Sequence, residues 1–468
     1  VADLLHTLLE PNPDEILSSA AAWLGLTVLC GALSAAAYWL TSRCAGPLLP
    51  PQRNRAVPWN GVAVIGAWII YAFAPALVAD GLVSVAHPLF RSLYGPEFPN
   101  QVRNVGGAVP RELHLEAQRR LHLFWAAPLA CPWVVIGVLY LLRQVSDARA
   151  YQLGWTTHRW GRNLLLGALA CLALTPAVYM VEVLVNYVYM VWCEGPEQPH
   201  ALTELASKGL LDIEYVLFVL TAFIAAPVME ELLCRGVLQP WAESQPYRAD
   251  IVMGVSLPLA VFQHSAGLGQ ALRARDWFGV GLELQPAAFV LVMLIGYSCL
   301  RALRKRAWCA IYASALLFGT VHANWPTPVP LFVLALGLGW LAYRTRSLVG
   351  PIVLHALFNG VACVGVFLGQ GAAPESNGRE TTSAERFSPS AATVTAVPGS
   401  QLPRRIYASA IAPNRGDTTD DVTWPTSSAS RNTLVPDGTA DEPAIFRPRK
   451  RRLTWPRSRA MTIGSWPR

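Results

Sequence analysis

The chain has 468 residues, 53% of them hydrophobic and only 14% charged, where soluble domains carry roughly 25% charged residues. With a mean hydropathy of +0.34, this excludes an ordinary water-soluble globular protein. The net charge of +7, from 37 Lys and Arg against 30 Asp and Glu, lies largely near the C-terminus, so it singles out no partner and no nucleic acid is expected.

Apolar runs long enough to span a bilayer, roughly 17–25 residues each, fall at 16–40, 59–85, 122–142, 164–193 and 213–240. Shorter or Pro-bounded runs follow at 251–266, 286–300, 307–323, 329–343 and 350–369. The fold is therefore expected to be all-α, a polytopic transmembrane helix bundle of nine or ten spans. Backbone groups facing lipid must be satisfied within their own segment, and the period-two alternation of a barrel is missing. Seventeen Trp and 36 Pro suit interfacial anchors and broken helices. No cleavable signal peptide is expected, because Asp14 and Glu15 stand where a basic segment should precede the first run.

Basic residues in short connections set the orientation of such bundles. Arg43, Arg53 and Arg55, then Arg143, Arg149, Arg159 and Arg162, then Arg301, Arg304, Lys305 and Arg306 mark cytoplasmic loops, with the N-terminus outside. Residues 371–468 turn rich in Pro, Ser, Thr and Arg and are expected to form a disordered tail. Its end, RPRKRRLTWPRSR, reads either as a solvated charge run or as a contact with anionic lipid headgroups. The nine Cys lie apart without a C-x-x-C, which argues against a disulfide framework and a thiolate metal site.

The stretch APVMEELLCRG, residues 226–236, sets Glu230 and Glu231 within the fifth run, on a helix expected to continue to Gly236 or Pro240. Ionisable residues inside a span are costly and face a cavity or a partner. Glu231 and Arg235 are i, i+4 neighbours in the favourable order, a pairing that leaves Glu230 free to face a reaction centre. The plainer alternative is a routine ion pair where a helix meets water. Further on, LLFGTVHANW puts His322 four residues after Phe318, and GPIVLHALFNG puts His355 and Asn359 one turn apart on one helix face. Either histidine alone reads as a satisfied core residue; with the diacid upstream, the two read as a site.

These three motifs, E-E-x-x-x-R, F-x-x-x-H and H-x-x-x-N on successive membrane helices, resemble the CPBP intramembrane proteases, which include the type II CAAX prenyl endopeptidases and the bacterial Abi relatives. The likeness covers roughly 150–370, with YQLGWTTHRWGRNLLLGALA from Tyr151 similar to the usual lead-in. It divides the chain into an unassigned N-terminal transmembrane region (1–150), a protease domain (151–370) and the tail (371–468). One departure is that His322 follows the diacid at far more than the usual distance. His264, in LPLAVFQHSAG, stands at that distance, but Ala260 holds the place of the motif phenylalanine. Residues 245–305 then read as an insertion adding two spans, with His264 a core or cavity-lining residue. The alternative is that His264 replaces or supplements His322.

The resemblance implies an intramembrane endopeptidase of a prokaryotic plasma membrane, embedded among lipids and acting on a membrane-associated protein or peptide. Its catalytic residues would be Glu230, Glu231, Arg235, His322, His355 and Asn359. Amide hydrolysis needs an activated water, a base and an oxyanion donor. In one version Glu230, His322 and His355 hold a divalent metal, zinc first, with an open position for water. In the other, Glu230 and His322 activate the water directly while His355 and Asn359 donate to the oxyanion. The zinc version is slightly favoured, although no H-E-x-x-H is present. Two other classes use the same polar residues differently: a transporter or proton relay, and a catalytically silent membrane scaffold.

Overall fold

The computed structural model describes residues 13–45, 49, 57–104, 109–156, 159–193, 210–322 and 325–371. The tail expected over 371–468 lies outside the described residues apart from Gly371. Every regular element among the described residues is helical. In chain order these are α1 (Pro13–Ala45), α2 (Gly61–Val85), the short α3 (His87–Tyr94) and α4 (Phe98–Arg103), α5 (Arg111–Ser146), α6 (Trp160–Cys193) and α7 (Asp212–Ser244). They continue with α8 (Pro246–Gln263), α9 (Ser265–Ala274), α10 (Trp277–Ala302), α11 (Arg306–Val321), α12 (Pro328–Thr345) and α13 (Val349–Gly371).

Seven of the described helices are long and apolar enough to cross a membrane, and α8 with α9, bent by 52°, makes an eighth if the two are one span. Helix α11 and the Val349–Gly365 part of α13 are apolar but shorter. The expected nine or ten is thus reached only by counting these short helices as spans. Helix α2 shows how lipid shapes the outside. Val62, Ile65, Ile69, Phe73 and Leu77 form an exposed apolar stripe, while Ala63 and Ala67 face inward. Water would penalise such a stripe, and hydrocarbon does not. Between α2 and α5 the small residues Gly66 and Gly137 meet Leu141 and Ile70 directly, the close approach on which membrane helices rely for packing.

Three wide turns interrupt the long helices, at Leu121–Ala126 in α5 and at Thr221–Ala225 and Leu232–Leu238 in α7. Each ends two residues before a proline: Pro128, Pro227 and Pro240. At each exit the hydrogen bond spans five residues, from Ala127 to His122, from Ala226 to Thr221 and from Gln239 to Cys234. Proline in a helix lacks a donor and collides with the carbonyl four residues back; one π-type turn moves that carbonyl aside. Helix α7 consequently runs through Gly236 and Pro240 to Ser244, beyond the end expected from those two residues. Gly236 serves a close approach instead, because a Cβ there would lie 3.2 Å from the Leu153 carbonyl oxygen.

The N-terminal helices grip α7 at both ends. Trp59 donates its indole N–H to the Val237 carbonyl at 3.1 Å. At the other end, fully buried Glu214 accepts from Arg120 at 2.8 Å, from the Tyr94 hydroxyl at 2.8 Å and from the Leu211 amide at 2.9 Å.

Candidate active site

Helix α7 presents Glu230 and Glu231 at the entrance to its second wide turn. Glu231 is fully buried and Arg235 almost so, and the guanidinium Nη1 donates to Glu231 Oε1 at 3.0 Å. Its Nη2 reaches the Ala335 carbonyl on α12 at 3.3 Å. The same Glu231 oxygen receives His355 Nδ1 from α13 at 2.9 Å. A carboxylate oxygen only accepts, so this contact places the ring hydrogen on Nδ1. The other ring nitrogen, Nε2, stands 3.9 Å from Glu230 Oε2, too far for a direct hydrogen bond and close enough for both atoms to touch one water. Glu231 Oε2 and Arg235 Nε are buried with no hydrogen-bonding partner.

Phe318, on α11, is the packing centre of the site. The Arg235 guanidinium lies over its ring at 4.6 Å, His355 meets it edge-on at 5.8 Å, and the His322 ring lies tilted against it at 4.8 Å. This is the physical content of the F-x-x-x-H spacing, because one helical turn puts the phenyl ring under the imidazole. His322 caps the end of α11 with Nδ1 2.7 Å from the Phe318 carbonyl. That oxygen again only accepts, leaving Nε2 as the free nitrogen. Asn359 donates one amide N–H to the Ala222 carbonyl at 2.8 Å, inside the first wide turn of α7, and so fastens α13 to the diacid helix.

The structure therefore gathers Glu230, Glu231, Arg235 and His355, adds His322 through Phe318, and uses Asn359 as a tether. His322 makes no ion pair with either carboxylate among the described residues. Among those residues, no three His, Cys, Asp or Glu side chains come together as ligands of one metal ion. Glu230, His322 and His355 are thus not arranged as a common ligand set here. One residue went unread in the sequence. Tyr71, in the α2 run AWIIYAFAP, comes within electrostatic reach of Glu230, and no local motif marks it.

His264 sits at the bend between α8 and α9, with Nδ1 3.0 Å from Glu283 Oε2 on α10. With His322 it lines a small cavity of about 10 Å³, room for about one water, whose other walls include Gln263, Pro286, Phe289 and Thr320.

Residues 212–361 match the family model described as type II CAAX prenyl endopeptidase Rce1-like. They form a CAAX-protease domain. The match begins on α7, later than the lead-in at Tyr151, runs through 245–305 and takes in all three motifs. No curated protein and no solved structure matches the chain. With its apolar helices, the CAAX-protease domain makes this a multi-pass membrane protein of an intramembrane-protease kind.

Proposed function

We propose that the chain is an endopeptidase of a prokaryotic plasma membrane, hydrolysing peptide bonds in a membrane-associated protein or peptide. The observation that carries this reading is the 3.9 Å gap between Glu230 Oε2 and His355 Nε2, beside an Arg235–Glu231 pair that fixes the histidine. Arg235 neutralises Glu231, Glu231 sets the His355 tautomer, and Glu230 keeps a carboxylate for proton transfer. A water between Glu230 and His355 gives up a proton to Glu230 as its oxygen bonds to the carbonyl carbon of the substrate. The resulting oxyanion takes a hydrogen bond from a nearby donor, for which the second N–H of Asn359 is the candidate. As the C–N bond breaks, Glu230 returns the proton to the leaving amine.

The test is incubation of the purified full chain with membrane-peptide libraries, wild type beside Glu230→Gln. The amide keeps the shape and cannot accept the proton, so cleavage should fall by about 10²–10⁴ with the fold intact. Retention of more than about a tenth of the activity would remove Glu230 as the base. Bound zinc is measured in the same preparations. Stoichiometric zinc, with activity lost to a chelator and restored by the metal, would replace this water-only apparatus with one in which Glu230, His322 and His355 serve as ligands.

A further inference from the structure

Ser244, at the end of α7, joins three helices at one corner. Its carbonyl accepts from the Arg306 guanidinium at the start of α11, and its hydroxyl accepts from Arg248 in the first turn of α8. A second clamp lies two residues further along α8, where Asp250 accepts from two nitrogens of Arg301, at the end of α10, at 3.0 and 3.2 Å. Between the clamps runs the α10–α11 turn, Leu303, Arg304 and Lys305, all exposed. We propose that this turn binds the phosphate headgroup of an anionic phospholipid in the leaflet it faces.

The carboxylates at this corner are already matched, Asp250 by Arg301 and Glu243 by Arg346 at 2.8 Å. Arg248 and Arg306 direct N–H groups to neutral oxygens of Ser244, which leaves their charge uncancelled. Arg304 and Lys305 make no side-chain hydrogen bond or ion pair among the described residues. Four cations therefore share one corner without an anion of their own. Arg304 also holds a left-handed backbone, φ 54°, which is strained for any residue with a Cβ; the Arg306 amide closes the turn on its carbonyl at 3.0 Å. Its side chain gains nothing inside the fold, so the turn presents it to a partner outside. Tyr247, Leu303 and Trp308 stand exposed on the three segments of the same corner, and aromatic side chains of this kind mark headgroup depth. The turn also joins two apolar helices, α10 and α11, at the end where the phosphates of a bilayer lie. Free phosphate would use the cations alone. A phospholipid uses both features, its phosphate on Arg304 and Lys305 and its acyl chain against Leu303 and Trp308. A zwitterionic headgroup brings a cation of its own, which the same four charges repel.

The test puts photoreactive benzoylphenylalanine in place of Trp308 in the purified full chain, held in nanodiscs of phosphatidylcholine with a dilute share of phosphatidylglycerol. Cross-linked lipid is identified by mass spectrometry. Adducts at 308 should contain phosphatidylglycerol in excess of its share of the bilayer, and Arg304→Gln with Lys305→Gln should lower that excess about thirtyfold, the effect of two surface cations. Neither replacement touches a clamp. Arg111→Gln with Arg273→Gln, at two exposed cations on α5 and α9, should leave the excess unchanged. The same photoreactive residue at Ile295, an exposed position of α10, should show none, and added inorganic phosphate should displace nothing. An excess that is absent at 308, equal at 295, or intact after the Arg304 and Lys305 replacements overturns the site. An excess lost equally with Arg111 and Arg273 overturns it in favour of diffuse attraction. Displacement by inorganic phosphate overturns the lipid in favour of a free anion.

Discussion

Glu231 holds two partners on one oxygen, Arg235 at 3.0 Å and His355 at 2.9 Å, and shows no exposure. Removing Arg235 leaves that carboxylate buried beside Glu230 with no cation of its own. Arg235→Ala should therefore cost about 3–5 kcal/mol, read as a lower melting temperature in detergent and reduced accumulation in membranes. Arg235→Lys should be milder, since it keeps the charge but loses the planar stack over Phe318. A wild-type melting profile for the alanine variant would end the structural role assigned to Arg235. The Arg235 pairing was legible because i, i+4 spacing is a local rule. The attachment of His355 to Glu231 was not, because those residues lie 124 positions apart and only packing of α13 on α7 decides which carboxylate the ring meets. Tyr71 was hidden for the same reason.

Helices place these side chains, and small residues let the helices close. Gly319 lies three residues before His322 on α11, and a Cβ there would fall 2.7 Å from the Pro328 carbonyl oxygen. That neighbour is backbone and cannot rotate away, so Gly319→Ala should push α11 from α12. A cost of about 1–3 kcal/mol is expected, with a drop in cleavage as His322 moves. Gly25→Ala, with nothing within 4 Å of its Cβ, is the neutral comparison, and equal melting temperatures for the two would contradict the packing argument. Apolar length located the helices, but not their breaks. The bend at His264 and the run of α7 past Gly236 and Pro240 depend on hydrogen bonds that local pattern does not encode. The prolines were visible, and what they meant was a wider turn instead of an end.

At the scale of the whole molecule, the family match starts at Asp212, yet α7 is held from outside that match by Trp59 and by Arg120 with Tyr94. The region 1–150, which no motif assigns, therefore belongs to the same packed body as the protease helices. A chain beginning at residue 151 should accumulate poorly and lose cleavage, since Glu214 would lose its buried cation, a loss of about 3–5 kcal/mol for such a pair. Membrane abundance measured by immunoblot checks this, and normal accumulation would show that the grip on α7 is dispensable. The wide turn at Leu232–Leu238 has a consequence for chain length. It stores one residue more than regular pitch requires, and one residue is worth about 100° of rotation. Deleting any single residue there would restore regular winding, turn the diacid away from everything beyond it and drive Pro240 into the carbonyl it now avoids. Point replacements trim atoms at one position, whereas a one-codon loss here rotates a whole face. A deletion scan through these seven buried positions should accordingly abolish the protein at each step, while conservative replacements at the apolar ones among them leave a measurable fraction.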